Sequence, residues 1–150
     1  MKTYADRPWL EHMDSKINRS PNLPDTPVHR FLTDSFRKYP DHVALYFYGA
    51  EFTYAEMESL TNKLANSLVR LGIRKGDRVA LCMDNCPQYA IAFFAVLKAG
   101  AVVVQITPMA TEREALYLLN DSGSKSMITL DYIWPRIKGA MNESNLAFAV

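Results

Sequence analysis

The sequence predicts an α/β fold, a parallel sheet with flanking helices. Three observations carry that expectation. From Arg78 onward, short β-branched or apolar runs alternate with longer segments of helical period, as strands joined by crossover helices do. Glycines stand where the helical segments should stop, at Gly72, Gly100 and Gly123, because glycine enters positive φ without strain. Helix-start signatures also recur. Thr53 pairs with Glu56 and Thr111 with Glu114 in Thr-x-x-Glu capping boxes, and Pro87 stands at a first helical turn.

The chain divides into an arm, residues 1–27, and a folded part, residues 28–150. The arm's "SPNLPDTP" is polar and proline-rich, which predicts extended chain over a surface, anchored by Trp9 and Leu10. Thr26 is expected to cap a first helix with Pro27 at its first position. Val28, Phe31, Leu32, Phe36 and Tyr39 recur at helical spacing as its apolar face, and Pro40 stops it. "VALYFYGAEFTY" predicts a hairpin turning at Gly49-Ala50. The helix opened by Thr53 should bury Met57, Leu60, Leu64, Leu68 and Leu71.

"RVALCM" predicts the next strand, and the helix from Pro87 is apolar nearly all round, so it should be buried on most sides. "AVVVQI" predicts a strand, the helix from Thr111 ends near Gly123, and "SMITL" predicts another strand. Asp131 or Trp134 opens a helix through Ile137 and Met141, and "LAFAV" predicts the last strand.

Composition excludes several classes. With 49% hydrophobic and 22% charged residues the chain reads as globular. Its formal net charge of +1 and mixed charge order give no basic stripe for nucleic acid. Tyr89 to Ile106 is long enough to suggest a membrane span, but Lys98 and Gly100 interrupt it; a buried helix followed by a strand is expected instead. No transmembrane segment or signal peptide is expected. Cys82 and Cys86 have the wrong spacing for a Cys-x-x-Cys pair, and His12, His29 and His42 are scattered. Two reduced thiols in a cytosolic protein is the reading taken, with no metal site.

No catalytic constellation appears. "SGSKS", residues 122–126, resembles a phosphate loop only faintly; it leads into a strand and reads as a helix-ending turn. Asn85 lies between a strand and a helix, where parallel sheets bind ligands, yet Asn85 and Cys86 read first as caps of the helix from Pro87. Gln105, polar in an apolar strand, reads first as bonding a neighbouring backbone group rather than a ligand. No catalytic, cofactor-binding or metal-binding residue is assigned.

The motifs "FTY-E", "GIRKGDRVAL", "N-PQ", "VLKAGAVVV", "TERE" and "NDSGSK", in this order, resemble the N-terminal region of the AMP-forming acyl-CoA synthetases, the adenylate-forming ligase superfamily. The resemblance covers residues 8–150 and is densest over 52–129. "RPWLEH" and "VVVQITPMATERE" are most similar to the long-chain fatty-acid branch, where glutamine often stands at the position of Gln105. Thr107 and Met109-Ala110 depart from that branch's usual asparagine and Leu-Tyr.

The resemblance implies a fatty-acid–CoA ligase using ATP, Mg²⁺ and coenzyme A, cytoplasmic or peripheral to a membrane. A carboxylate attacks the α-phosphate of ATP, and the coenzyme A thiol then displaces AMP. That chemistry needs phosphate donors, Mg²⁺ and a steering cation. In the family, these come from segments that follow the stretch matched here, so none maps onto a residue of this chain. The chain is therefore expected to be the first, truncated part of the AMP-binding domain. Alone it should be inactive, bind no ATP and self-associate through apolar surface. A sister ligase for aryl or short-chain acids, a peptide-synthetase adenylation domain and a non-catalytic interaction module stand as alternatives.

Overall fold

The computed structural model describes residues 6–17 and 23–150; Asn18 and the beginning of the proline-rich stretch, 20–22, lie outside them. Pro8–His12 forms a 3-10 turn, and residues 23–27 have no regular structure. Trp9 remains 41% exposed, so of the two expected anchors Leu10 is the one that is half-buried.

Helix α1 (His29–Lys38) begins later than expected, and Thr26 does not cap it. Val28 occupies the cap position in helical conformation, with no side-chain cap bond. The Pro27 and Val28 carbonyls already accept from Arg30 and Phe31 N–H at 2.9 and 3.1 Å, while Thr26 N–H turns back to Pro24. The expected apolar face is only partly covered. Leu32 is buried, but Val28, Phe31 and Tyr39 are 54%, 55% and 42% exposed, because α1 lies outside α2 (Tyr54–Arg70) and α3 (Pro87–Lys98) and touches them along one stripe.

Strands β1 (Val43–Phe47) and β2 (Ala50–Thr53) form the antiparallel hairpin, with Phe47 opposite Ala50. The turn is Tyr48-Gly49 rather than Gly49-Ala50. Both residues have positive φ, 45° and 85°, which matches the twist of the strands they join. Thr53 and Glu56 complete the expected capping box of α2, as Thr111 and Glu114 do for α4 (Glu112–Ser122).

Four strands make the main sheet: β3 (Arg78–Cys82), β4 (Val102–Ile106), β5 (Ser126–Thr129) and β6 (Phe148–Ala149). Their order is β4-β3-β5-β6, and every neighbour pair is parallel, as expected. The expected strand "LAFAV" shortens to two residues, although Val150 still exchanges bonds with Met127 and Thr129. Helix α5 (Trp134–Glu143) opens at Trp134 rather than Asp131.

Handedness sets the layers. The step from β3 to β4 runs one way across the sheet, and the steps to β5 and then β6 run the other way. Right-handed crossovers then place α3 on one face and α4 and α5 on the opposite face. The two cores agree. Val79, Leu81 and Ile128 face Leu68, Ala92 and Val96 of α2 and α3, whereas Ala80, Cys82 and Met127 face Ala115, Leu119 and Ile137 of α4 and α5. Lys98 ties the first layer together: its ammonium reaches Glu58 at 2.6 Å and Asn62 at 2.9 Å, and Glu58 also accepts from Thr33 of α1.

One hydrogen-bonded stop is used three times. Gly72, Gly100 and Gly123 have φ of 97°, 76° and 62°. Each is followed by a residue, Ile73, Ala101 or Ser124, whose N–H returns to the carbonyl of Leu68, Val96 or Leu119 at 3.0–3.1 Å. The stop reverses the chain and drives that next residue inward. It corrects one expectation: Leu71 is 54% exposed, and Ile73, at 1%, fills the core in its place.

A side chain built at Gly100 would meet Lys75 at 3.4 Å, an ordinary contact, so the constraint is backbone conformation. Gly100→Val is expected to destabilise by about 1–2 kcal/mol, and Gly100→Asn by less. Urea unfolding of the two variants measures this, and equal stabilities would count against it.

Candidate functional site at the switch point of the sheet

Parallel sheets bind ligands outside the carboxyl ends of strands where the strand order reverses. Here that point lies between β3 and β5. The chain leaves β3 toward α3 on one face and leaves β5 toward α5 on the other, so the two loops part and open a crevice. The β1–β2 turn hangs over it. The resulting cleft, about 450 Å³, is lined by Phe47 and Tyr48 from that turn, by Asp84, Asn85, Cys86 and Gln88 after β3, and by Leu130 and Tyr132 after β5.

A polar bridge spans the cleft. The Tyr132 hydroxyl donates to the Asp84 carboxylate. That carboxylate favours the neutral phenol, and the Tyr132 pKa is pushed up to about 12. Below the bridge, Thr129 Oγ1 donates to the Cys82 carbonyl at 2.8 Å and joins the ends of β3 and β5. The Cys82 thiol is buried, and burial pushes its pKa up despite Arg136 and the Thr129 hydroxyl, which act the other way. The β4–α4 loop is tied in from the side: the Arg136 guanidinium donates to the Pro108 carbonyl, and the Glu112 carboxylate accepts from Gly139 N–H at 3.0 Å.

Of the candidates read from the sequence, Asn85 and Cys86 line the cleft together, Gln105 is joined to Tyr89, which lines an adjoining hollow with them, and Ser122–Ser126 lies at the other end of the strands. Asn85 is exposed in the mouth of the cleft. Cys86 takes the cap position of α3 but its side chain makes no cap bond, so the expected side-chain capping is absent there. Gln105 does bond a neighbour, though a side chain rather than backbone: its amide donates to the Tyr89 hydroxyl at 2.6 Å. Ser122–Ser126 closes α4 as the expected turn, with Gly123 at its stop. Lys125 is committed to Asp77 at 2.7 Å and to the Gly72 carbonyl at 2.8 Å. Among the described residues no group of three or more His, Cys, Asp or Glu side chains is placed to hold a metal ion.

Sequence reasoning missed Asp84, Tyr132 and Tyr48. Asp84 and Tyr132 each follow a strand end by two or three residues, a placement that signals a site only once β3 and β5 are known to be neighbours. The cleft supplies a carboxylate, two amides, a thiol and two phenols. These suit hydrogen bonding and stacking, and no histidine lines the cleft to serve as a base for the thiol.

Because the neutral phenol is the donor, folding holds the Tyr132 proton more tightly than the unfolded chain does. The bridge's contribution is complete below the ordinary phenol value, near 10, and is lost as pH rises through about 12. Subtracting the alkaline absorbance titration of Tyr132→Phe from that of the parent should reveal one phenol with a midpoint of about 12. In Asp84→Asn the midpoint should fall back toward the ordinary value. A parent phenol titrating at the ordinary value would show that the bridge does not form.

Residues 32–148 match the family of AMP-binding enzymes. The chain is 39% identical over 132 residues to a long-chain-fatty-acid–CoA ligase of Bacillus subtilis, a match covering 88% of this chain and 24% of that protein. The fold is similar to that of a long-chain-fatty-acid–CoA ligase from Archaeoglobus fulgidus, with TM-score 0.79 and 22% identity over 87% of this chain and 28% of the other. It is also similar to a benzoate CoA ligase from Burkholderia xenovorans, with TM-score 0.77 and 21% identity over 83% of this chain and 26% of the other. The chain thus spans about a quarter of the length of these relatives. Most of its residues fall inside the family match, and the chain belongs to the AMP-binding enzymes, the adenylate-forming ligase family that includes the acyl-CoA synthetases.

Proposed function

We propose that this chain is the first part of the AMP-binding domain of an acyl-CoA ligase that activates fatty acids, with residues 1–27 as its arm and 28–150 as the beginning of the domain. The observation that carries the reading is the 39% identity over 132 residues to the Bacillus subtilis ligase. In this reading the whole protein joins a fatty acid to coenzyme A through an acyl-adenylate, with ATP and Mg²⁺.

Among the described residues, the stretch most like a phosphate loop in sequence, Ser122–Ser126, does not fit the phosphates of ATP. A phosphate cradle needs free backbone N–H groups at a helix start and an available cation. The nearest approach to one, Ser122–Ser126, ends a helix, and its lysine is already held by Asp77. The chain's part in the proposed reaction is therefore scaffold: it builds the first sheet and sets the switch-point cleft. An aryl-acid ligase is the second reading, since a benzoate CoA ligase has a similar fold.

ATP–pyrophosphate exchange by the product of the open reading frame that encodes this chain separates the two. Hexadecanoate is expected to support faster exchange than butyrate or benzoate; faster exchange with benzoate would replace the fatty-acyl reading by the aryl one.

The 150-residue chain alone is expected to self-associate. An apolar hollow lined by Leu130, Trp134, Ala149 and Val150 lies open beside β6, and covering such surface between copies is favourable by roughly 25 cal/mol per Å² before association costs. Sedimentation over a concentration series tests this, and a monomer throughout would refute it.

A further inference from the structure

The switch-point cleft has a lining and a charge that select a class of ligand. Three aromatic side chains, Phe47, Tyr48 and Tyr132, line it together with the Asp84 carboxylate and the Asn85 and Gln88 amides. None of its lining residues is Lys, Arg or His. Among the described residues Asp84 makes no ion pair. The Tyr132 hydroxyl takes Oδ2 of that carboxylate, and Oδ1 is left for another donor or a cation. A second carboxylate, Asp131, precedes Tyr132 and, like Asp84, disfavours ionisation of its phenol. The Arg136 guanidinium donates to the Pro108 carbonyl and does not line the cleft.

Tyr48 is the least expected of these side chains. It is 96% exposed and has φ 45°, in the first central position of the hairpin turn. Such a turn prefers Asn or Gly there, because a β-carbon is strained at positive φ. Burial offsets none of that strain. What the ring gains is its place at the rim of the cleft, where it meets Phe47 edge to face with 4.7 Å between centroids. Strain of this kind collects at ligand clamps.

Electron-rich ring faces attract organic cations, and a carboxylate beside them completes the charge match. An anion would meet Asp84 with no lining cation to offset it. A neutral sugar would stack on the phenols but leave the carboxylate's charge unanswered. Helix α3 begins beside the cleft and brings about half a positive charge, less than the full charge on Asp84, and Pro87 at its start has no N–H to offer. The volume of about 450 Å³ suits a small molecule. We propose that the switch-point cleft binds an alkylated ammonium group, held by the Phe47, Tyr48 and Tyr132 rings and the Asp84 carboxylate. The proposal is independent of the fatty-acyl reading: it rests on the lining of the cleft, and its test uses no acid substrate, nucleotide or coenzyme A.

Calorimetric titration tests it on the product of the open reading frame that encodes this chain. The probes are choline and the uncharged dimethylbutanol in which carbon replaces the choline nitrogen, so that shape is held and charge removed. Choline is expected to bind with a Kd below about 10 mM, and the carbon isostere at least about tenfold more weakly. Asp84→Asn should weaken choline binding about tenfold and Tyr48→Asn about threefold, while Tyr48→Phe, which keeps a ring, should stay within about twofold of the parent. Asparagine accepts positive φ and Asp84 is exposed, so both variants are expected to melt as the parent does. Equal binding of the two probes, no saturable binding of choline, or unchanged affinity in either Asp84→Asn or Tyr48→Asn would overturn the proposal. So would tighter binding of glucose or acetate than of choline, which would make the cleft a site for a neutral or an anionic ligand.

Discussion

Enclosure of β3 is the constraint on which the rest of the structure depends. Val79, Ala80, Leu81 and Cys82 are 0–1% exposed, so water satisfies none of their backbone groups and both edges must be paired. The partners, β4 and β5, are parallel to β3 and can be reached only by crossovers. One crossover runs to each side, so their common handedness sends the helices to opposite faces. The two cores, the parting of the loops after β3 and β5, and the cleft between them all follow. Small residues are part of both cores: Ala92 and Ala95 of α3 on one face, Ala80 of β3 and Ala115 of α4 on the other.

Much of this was legible in the residues because it is local. Capping boxes, glycine stops and period changes each depend on a few neighbouring side chains, and the helices and parallel strands they announced are present. What failed was decided by neighbours distant in sequence or by finer turn geometry. Thr26 has a good cap's chemistry, but the turn at Pro27 and Val28 forms one step further on. The hairpin turn moved by one residue because the twist of two paired strands demands two positive φ values, and Tyr48 supplies one of them. Leu71 keeps the α2 period yet lies beyond its last turn, where the glycine stop redirects the chain. The cleft was least legible. Asp84 and Tyr132 lie far apart in sequence, and only the strand order, which periodicity does not encode, makes them partners.

The two ends of the sheet have opposite characters. At the carboxyl ends, loops carry amides, phenols, a thiol and a carboxylate around an open cleft. At the amino ends, the tight stops leave little room for a ligand, and Lys125 clamps the α2–β3 turn to the start of β5. The Lys125 ammonium holds the Asp77 carboxyl below the usual carboxylate range, aided by Arg74 N–H. A parallel sheet separates rigid joints from adaptable loops in this way because every strand points in one direction.

The strand order also bears on how the chain folds while it is being made. Of the four parallel strands, β3 leaves the ribosome first and finally lies inside; β4, β5 and β6 then add at an edge that is already present. None of these three has to insert between two that have paired. Growth from the centre outward lets each αβ increment settle as it emerges, at the pace of synthesis. It also sets the moment of greatest exposure: until β5 arrives one edge of β3 stays open, and the face that holds Ala80 and Cys82 is covered only as α4 and then α5 follow. A pause in translation after β4 would prolong that state, whereas a pause after α5 would find β3 already closed on both sides.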